Sequence, residues 1–353
     1  MEKPPKILLL LTGGTIGSAV NDGCIDVDIS RGDDLLSLYK SQSNSQIDFE
    51  VSRPFNILSE NAEPKHWFQI LKALETFSLG NYSGVIIAHG SDTLPYTGAA
   101  LCYGVDSPSI PIVLVAANYA LGEKYSNALV NFSASVDFIC NQQLPGFYVI
   151  YQNSDGKVYV HLASRLLEAD WFKDDFKSFG TPLGILDSRG LCSTPSPTNP
   201  NMLKLYNPCP DLVPYIKGFS NEVLGLRAYP GLNYRCIGLK THSIMAVLHS
   251  LYHTGSGNVT GENGSSLLEF IKNNPQVKHY MISYKNINGD LYASSCQLID
   301  AGAIPLENIS FEAAITKLNF AYNQTELTPE EYMKREFFYE FLNENSGISR
   351  VKK

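Results

Sequence analysis

The sequence lacks what a membrane, nucleic-acid or metal protein would need. Its 353 residues carry 27 Lys and Arg against 35 Asp and Glu, a net charge of −8 with a pI near 5.4. Neutralising phosphates takes concentrated basic residues. The one basic cluster is Arg350-Val351-Lys352-Lys353, so no nucleic-acid partner is expected. The first apolar run, residues 7–11, is far shorter than the roughly 20 residues of a spanning helix. It has no convincing cleavage site and runs straight into a glycine turn, so it reads as a buried strand rather than a signal peptide, and no membrane partner is expected. The seven cysteines are scattered with no C-x-x-C pair, which argues against a zinc or redox motif. Their odd number, without a secretory signal, fits reduced thiols in a cytoplasmic protein. Internal repeats, low-complexity tracts, G-x-G-x-x-G and P-loop spacing are all missing. No metal and no cofactor is implied.

What is present is enough for a core: 44% of the residues are hydrophobic, and the length suggests two domains. Residues 7–11, 84–89, 111–116 and 147–151 are nearly continuous apolar runs, the signature of parallel strands covered on both faces. Between them, residues 64–77 place Trp67, Ile70, Leu71 and Leu74 at helical spacing, and residues 125–140 form a second helix candidate. Strand, helix, strand at this spacing predicts an α/β protein: a large N-terminal domain with a parallel sheet flanked by helices. Residues 193–214 hold six prolines in 22 positions, the composition of a linker or a rigid surface connection. Beyond them, 223–229 and 278–284 read as strands and 312–320 as a helix. The expected organisation is a catalytic domain over residues 1–205, a linker over 206–222 and a smaller C-terminal α/β domain over 223–353. Glu330, Glu331, Lys334 and Arg335 suggest a solvated helix face near the end.

In open sheets of this kind ligands sit beyond the carboxyl ends of the strands, and two polar motifs follow such ends directly. Thr12-Gly13-Gly14-Thr15 is a glycine turn presenting hydroxyls, readable as a phosphate-binding or structural turn or as a nucleophile's seat. His89-Gly90-Ser91-Asp92-Thr93 sets a hydroxyl beside a carboxylate. That pair can join a proton relay, or Asp92 can hold a substrate ammonium, or the segment can be a capped strand-end turn. A histidine such as His89 at a strand end is more often packed than catalytic. Ser59-Glu60, after a probable strand at 55–58, offers one more hydroxyl and carboxylate to an amino-acid ligand, or simply begins the next helix.

In order and spacing these motifs resemble the bacterial-type L-asparaginase/glutaminase family, amidohydrolases with a threonine nucleophile. Thr12-Gly-Gly-Thr-Ile16 is similar to its TGGTI signature and His89-Gly-Ser-Asp-Thr93 to its HGTDT signature. Tyr252-His-Thr-Gly-Ser-Gly-Asn258 resembles the small-domain YGTGN turn, and residues 298–304 with 310–318 resemble the closing segment, so the likeness spans roughly residues 6–322. The resemblance implies that Thr15 attacks a side-chain amide carbon, giving an acyl-enzyme and ammonia. It implies that Ser91 and Asp92 belong to a proton relay with a lysine, and that Ser59, Glu60 and Asp92 hold the substrate's carboxylate and amino group. It further implies a homodimer or homotetramer in which a neighbour's small domain, with Asn258 as the matching residue, completes the site. The expected substrate is a small amino-acid amide such as L-asparagine.

Three departures from the pattern bear on activity. Ser91 stands where the family has threonine, keeping the hydroxyl and losing a methyl that stiffens the rotamer. Cys24 falls where the mobile loop carries a tyrosine; it is readable as a small loop residue or a replacement nucleophile. Setting Ala163-Ser164-Arg165 against the family's GNR places Glu168 where the relay lysine belongs, and a one-gap shift brings Arg165 closer. Lys157 and Lys173 are too far by counting, and Lys124 is a speculative source of positive charge. A missing lysine leaves a second expectation open: a catalytically weakened relative that binds an amino acid or a protein partner. A larger peptide amide is a third.

Overall fold

The computed structural model describes the chain except for residues 1–3, 15–17, 22–23, 28, 44–45, 107, 208–212, 240–242, 284–289 and 344–353; for residues 18–21, 24–27, 29–31 and 283 it describes the backbone alone. Thr15 therefore lies outside the described residues, as does the side chain of Cys24. The chain divides into two compact units, one of Met1–Val213 with Glu336–Tyr339, the other of Pro214–Arg335 with Glu340–Asn343.

In the first unit the strands are β1 (Lys6–Leu11), β2 (Ser18–Asn21), β3 (Cys24–Val27), β4 (Asp48–Ser52), β5 (Gly84–Ala88), β6 (Pro111–Val115), β7 (Gly146–Gln152), β8 (Val158–Leu162), β9 (Gly184–Asp187) and β10 (Gly190–Ser193). The helices are α1 (Ile29–Gln42), α2 (Pro64–Glu75), α3 (Leu94–Gly104), α4 (Ala128–Gln142) and α5 (Met202–Tyr206). Eight strands form one sheet in the order β10-β9-β8-β7-β6-β5-β1-β4. From β4 to β7 neighbours run parallel, and β8, β9 and β10 are added antiparallel. The apolar runs explain the parallel half. Residues 7–10, 85–87 and 112–115 are fully buried, as strands covered on both faces must be. Helix α1 packs with α4 and α2 with α3.

Three expectations shift. The sheet is mixed rather than wholly parallel. Residues 55–58 form no strand: Pro54 cannot donate to a ladder, and the segment makes one isolated parallel bridge, Ile57 to Gly13. The second helix starts at Ala128 instead of residue 125. The side chains of Asn118 and Asn127 each accept the other's backbone N–H at 3.0 Å, and Ser126 donates to the Tyr119 carbonyl, so these groups are committed to a loop.

The second unit adds β11 (Glu222–Arg227), β12 (Ile244–Ser250), β13 (Lys278–Ser283) and β14 (Ile304–Glu307), with α6 (Leu267–Asn273), α7 (Ala293–Asp300), α8 (Phe311–Ala321) and α9 (Pro329–Lys334). Its four strands are parallel and adjacent in chain order. A cluster of Tyr234, Leu251, Leu267, Phe270, Ile271, Met281, Leu298 and Ala303 forms a core there. Among the described residues no helix is long and apolar enough to cross a membrane.

Beside that cluster, His249 of β12 and His279 of β13 are buried with stacked rings, Nε2 of one 3.1 Å from Nδ1 of the other. One nitrogen must donate and the other accept, so the pair is incompatible with two imidazolium ions. Burial lowers the His249 pKa to about 3, with His279 adding to the shift, and burial lowers His279 as well. In the first unit burial likewise lowers His89, and His161 to about 3. These folded-state values lie below the unfolded value near 6.5, so below that pH the unfolded chain binds protons that the folded chain refuses. Stability is expected to be independent of these groups above about pH 6.5 and to fall from there toward pH 3. Each histidine contributes a slope of up to about 1.4 kcal/mol per pH unit. Denaturant melts at pH 7, 6 and 5 measure this, and a flat profile refutes it.

Candidate active site

The chain beyond β1 must leave the sheet edge without striking its neighbours, and its residues allow that. Thr12 anchors it: its N–H and Oγ1 both donate to the Ala88 carbonyl at the end of β5, at 3.1 and 2.8 Å. Gly13 and Gly14 then adopt φ of +99° and +76°, a region open to glycine. Their missing side chains are required twice over. A Cβ on Gly13 would stand 2.2 Å from the Ile57 carbonyl oxygen, and one on Gly14 would stand 2.3 Å from both Cα and N of Gly90. Gly14 N–H donates to Ile57 O and Ile57 N–H to Thr12 O, at 3.0 and 3.2 Å, which closes the turn on the segment after β4.

Gly90 has no side chain for the same reason, since a Cβ there would lie 2.4 Å from Ser59 Oγ. Ser59 is buried at the head of a short 3₁₀ turn, Ser59–Asn61. Its Oγ donates to Asp92 Oδ2 at 3.1 Å, while Thr93 Oγ1 donates to the Ser59 carbonyl at 2.9 Å. The structure thus gathers Gly13-Gly14, Ser59 and Gly90–Asp92 at the carboxyl ends of β1 and β5. Ser91 sits half-buried in the same turn; Asp92 and Glu60 are exposed. Asn258 belongs to the second unit, where its Oδ1 accepts from Thr260 N–H and its carbonyl from Leu267 N–H.

His89 is committed to structure. It is buried, with Nδ1 2.9 Å from the Gly90 carbonyl and Nε2 3.0 Å from Thr97 Oγ1. A carbonyl only accepts, so Nδ1 carries the proton and Nε2 accepts from Thr97. Burial holds the ring neutral against the opposing pull of the Gly90 carbonyl and Asp92.

Ala163–Arg165 forms a 3₁₀ turn, and Glu168 follows in a loop that returns on itself: Leu166 bridges Ser178, and Leu167 N–H donates to Lys177 O at 3.0 Å. Glu168 Oε1 accepts from Tyr96 Oη at 2.5 Å. Tyr96 lies in the first turn of α3, four residues beyond Asp92. Arg165 is turned away into carbonyls: it is buried, donating to Thr198 O at 2.9 Å and to Tyr339 O. Lys157 pairs with Asp155 at 3.6 Å on the surface, Lys173 is exposed, and Lys124 Nζ lies 5.0 Å from the Tyr125 ring centre. Among the described residues no lysine forms an ion pair with Asp92. Asp174, which sequence reading missed, is exposed, and its pKa is raised, first by partial desolvation and then by the charges of Asp175, Asp92 and Asp170. Among the described residues no group of three or more His, Cys, Asp or Glu is placed to hold a metal.

A glycine turn packed against a carboxylate-bearing turn at the carboxyl edge of a mixed α/β sheet is where such folds bind small polar ligands, and the comparisons give the class: an asparaginase-family amidohydrolase. The chain belongs to the asparaginase family, matching the model "Asparaginase, N-terminal" over residues 6–184. It is similar to the L-asparaginase of Thermococcus kodakarensis, 27% identical over 327 residues that cover 91% of this chain and 93% of the relative. It is also similar to the D subunit of the glutamyl-tRNA(Gln) amidotransferase of Methanobrevibacter smithii, 26% identical over 357 residues that cover 97% of this chain and 78% of that one. Among solved structures, the thermostable L-asparaginase from Thermococcus kodakarensis superposes with a TM-score of 0.76 at 25% identity, covering 96% of this chain and 99% of that chain. The L-asparaginase I from Vibrio cholerae, with a TM-score of 0.71 at 20% identity over 96% of this chain and 99% of that one, shares the fold.

Proposed function

We propose that this family member hydrolyses the side-chain amide of L-asparagine, or of a related small amide, through an acyl-enzyme on Thr15. In this reading the Thr15 hydroxyl oxygen attacks the carboxamide carbon, the C–N bond breaks, and ammonia leaves with the hydroxyl's proton. Water then cleaves the ester and releases the free acid. Ser91 and Asp92 organise the proton's path, and Ser59, Glu60 and Asp92 hold the amino-acid end. The observation that carries the reading is the packing of Gly14 on Gly90, which brings the residue preceding Thr15 against the turn that bears Ser91 and Asp92. Backbone N–H groups of such turns commonly stabilise an oxyanion by about 3 kcal/mol. A cytoplasmic homodimer or homotetramer, with Asn258 contributed by a neighbouring copy, is the assembly carried over from the family.

A second reading has its own observation. Glu168 is held by Tyr96 where the family resemblance implies a lysine, and a general base is typically worth about 10²–10⁴ in rate. The chain is then a weakened relative that binds an amino acid or a protein partner. The similarity to the amidotransferase D subunits, by name components of an assembly, supports a partner. Ammonia release from asparagine, glutamine and asparaginyl peptides decides between the two. Turnover that falls at least about 10³-fold in Thr15→Val supports the hydrolase. Tight calorimetric binding with no turnover supports the binder and rejects the hydrolase.

A further inference from the structure

The turn that carries Ser91 and Asp92 begins with a residue that has no side chain to hold it. Packing forces a glycine at position 90, since a Cβ there would lie 2.4 Å from Ser59 Oγ, and a glycine leaves the peptide that follows it loosely set. The turn is fastened on either side of that peptide. Before it, His89 N–H donates to the Val115 carbonyl at 2.8 Å. After it, Leu94 N–H donates to the Ser91 carbonyl at 3.3 Å, and Thr93 Oγ1 to the Ser59 carbonyl at 2.9 Å. Among the described residues one group holds the Gly90–Ser91 peptide itself: His89 Nδ1, which donates to the Gly90 carbonyl at 2.9 Å. The ring is fixed from its far side by Thr97 of α3, whose Oγ1 stands 3.0 Å from Nε2, and both side chains are buried. Thr97 donating to Nε2 leaves the proton on Nδ1, the nitrogen that faces the carbonyl. The peptide is trans, so its N–H points opposite to its carbonyl. A bond on the Gly90 oxygen therefore also sets the direction of Ser91 N–H. Among the described residues that N–H has no acceptor, and Ser91 is half-buried, so the group is open to a ligand.

We infer that Thr97 and His89 form a two-step clamp on the Gly90–Ser91 peptide, which holds Ser91 N–H, and the turn behind it, in place for the reaction. The inference rests on the hydrolase reading for that reaction. His89 is then a positioning residue: it is buried, touches no substrate and moves no proton. A backbone N–H stabilises developing negative charge only when it is aimed beforehand, and a peptide left loose after glycine would have to be ordered in every turnover. The clamp therefore acts on the chemical step rather than on substrate binding, on kcat rather than KM. A histidine that merely fills space would show no preference between its two nitrogens.

Two replacements separate the nitrogens. Asparagine carries its amide nitrogen as many bonds from Cα as Nδ1, and glutamine as many as Nε2. His89→Asn therefore keeps a donor for Gly90 and gives up Thr97. His89→Gln keeps a partner for Thr97 and gives up the clamp, although it is nearer to histidine in volume. With both variants folded by circular dichroism, kcat for ammonia release from L-asparagine is expected to be about tenfold lower in His89→Gln than in His89→Asn, with KM alike within about twofold. His89→Gln as active as His89→Asn or more so, the result that packing alone would give, overturns the inference. The wild-type protein supplies a second measurement that requires neither variant to fold. Nitrogen–proton correlation spectra of imidazole-labelled protein show which ring nitrogen bears the proton, the His89 signal being assigned by its shift in Thr97→Ser. A proton on Nδ1 supports the clamp, and a proton on Nε2 overturns it. If the wild-type protein releases no ammonia from asparagine or glutamine, the hydrolase reading and the clamp's part in a reaction fall together, and the tautomer alone decides whether the clamp exists.

Discussion

Gly14→Ala is expected to lower kcat/KM for ammonia release by about 10²–10³-fold while leaving a folded protein. Two separate costs act at this position. With φ at +76°, an L side chain is strained by roughly 1–2 kcal/mol. The added methyl would also stand 2.3 Å from Cα and N of Gly90, both backbone atoms that cannot rotate aside. The turn must therefore move away from the His89–Asp92 segment. A displacement near 1 Å at a reacting group is enough for about 10²-fold in rate. Gly156→Ala separates the two costs. That glycine has a similar φ of +79°, but a Cβ would meet nothing within 4 Å, in a turn between β7 and β8. It should lose stability of the same order as the strain alone and keep its activity. Activity in Gly14→Ala equal to that of Gly156→Ala would show that the contact between the two turns has no role in the chemistry.

The same glycines show what the sequence made legible. A strand that is covered on both faces has no polar position to interrupt it, so residues 7–11, 84–88 and 111–115 announce themselves as apolar runs. The polar turns that follow them could be placed in one site from the sequence alone. The antiparallel half of the sheet is harder to read. Val158–Leu162 mixes Tyr and His with aliphatic residues, and its partners are fixed by hairpins rather than by burial on both faces. Residues 55–58 misled because Phe55, Ile57 and Leu58 look like a strand, whereas Pro54 and a single bridge to Gly13 make the segment a support for the glycine turn. Glu168 meets Tyr96 of α3, a partner that could not be read from spacing, because 72 residues separate the two. The placement of Asp174 was invisible for a related reason: it depends on how the loop of residues 166–178 returns on itself, which no local pattern encodes. The nucleophile assigned to Thr15 rests on its neighbour Gly14 and on the family, since Thr15 itself lies outside the described residues.

The largest expected loss of stability lies in the second unit, on a lysine of the largely buried helix α8 and a glutamate beyond its end. Lys317 of α8 has no exposed side-chain surface, nor has Glu340, and Nζ stands 2.7 Å from Oε1. The ammonium also donates to the Arg335 carbonyl and lies 4.4 Å from the Phe341 ring centre. A lysine buried to this extent is retained only when its charge is matched. Replacing it with methionine preserves much of the volume and leaves the Glu340 carboxylate without its ammonium in a dry site, where Tyr332 already feels its field. Breaking a buried pair from one side typically costs about 3–5 kcal/mol, whereas removing both charges is often near neutral. Lys317→Met should therefore lower the unfolding free energy of this unit by about that amount, measured by urea denaturation at neutral pH. Adding Glu340→Gln should recover a large part of it, because the uncompensated charge is what the single variant suffers from. If the double variant is as unstable as the single one, the cost lies in lost packing and in the carbonyl of Arg335, and the ion pair contributes nothing of its own.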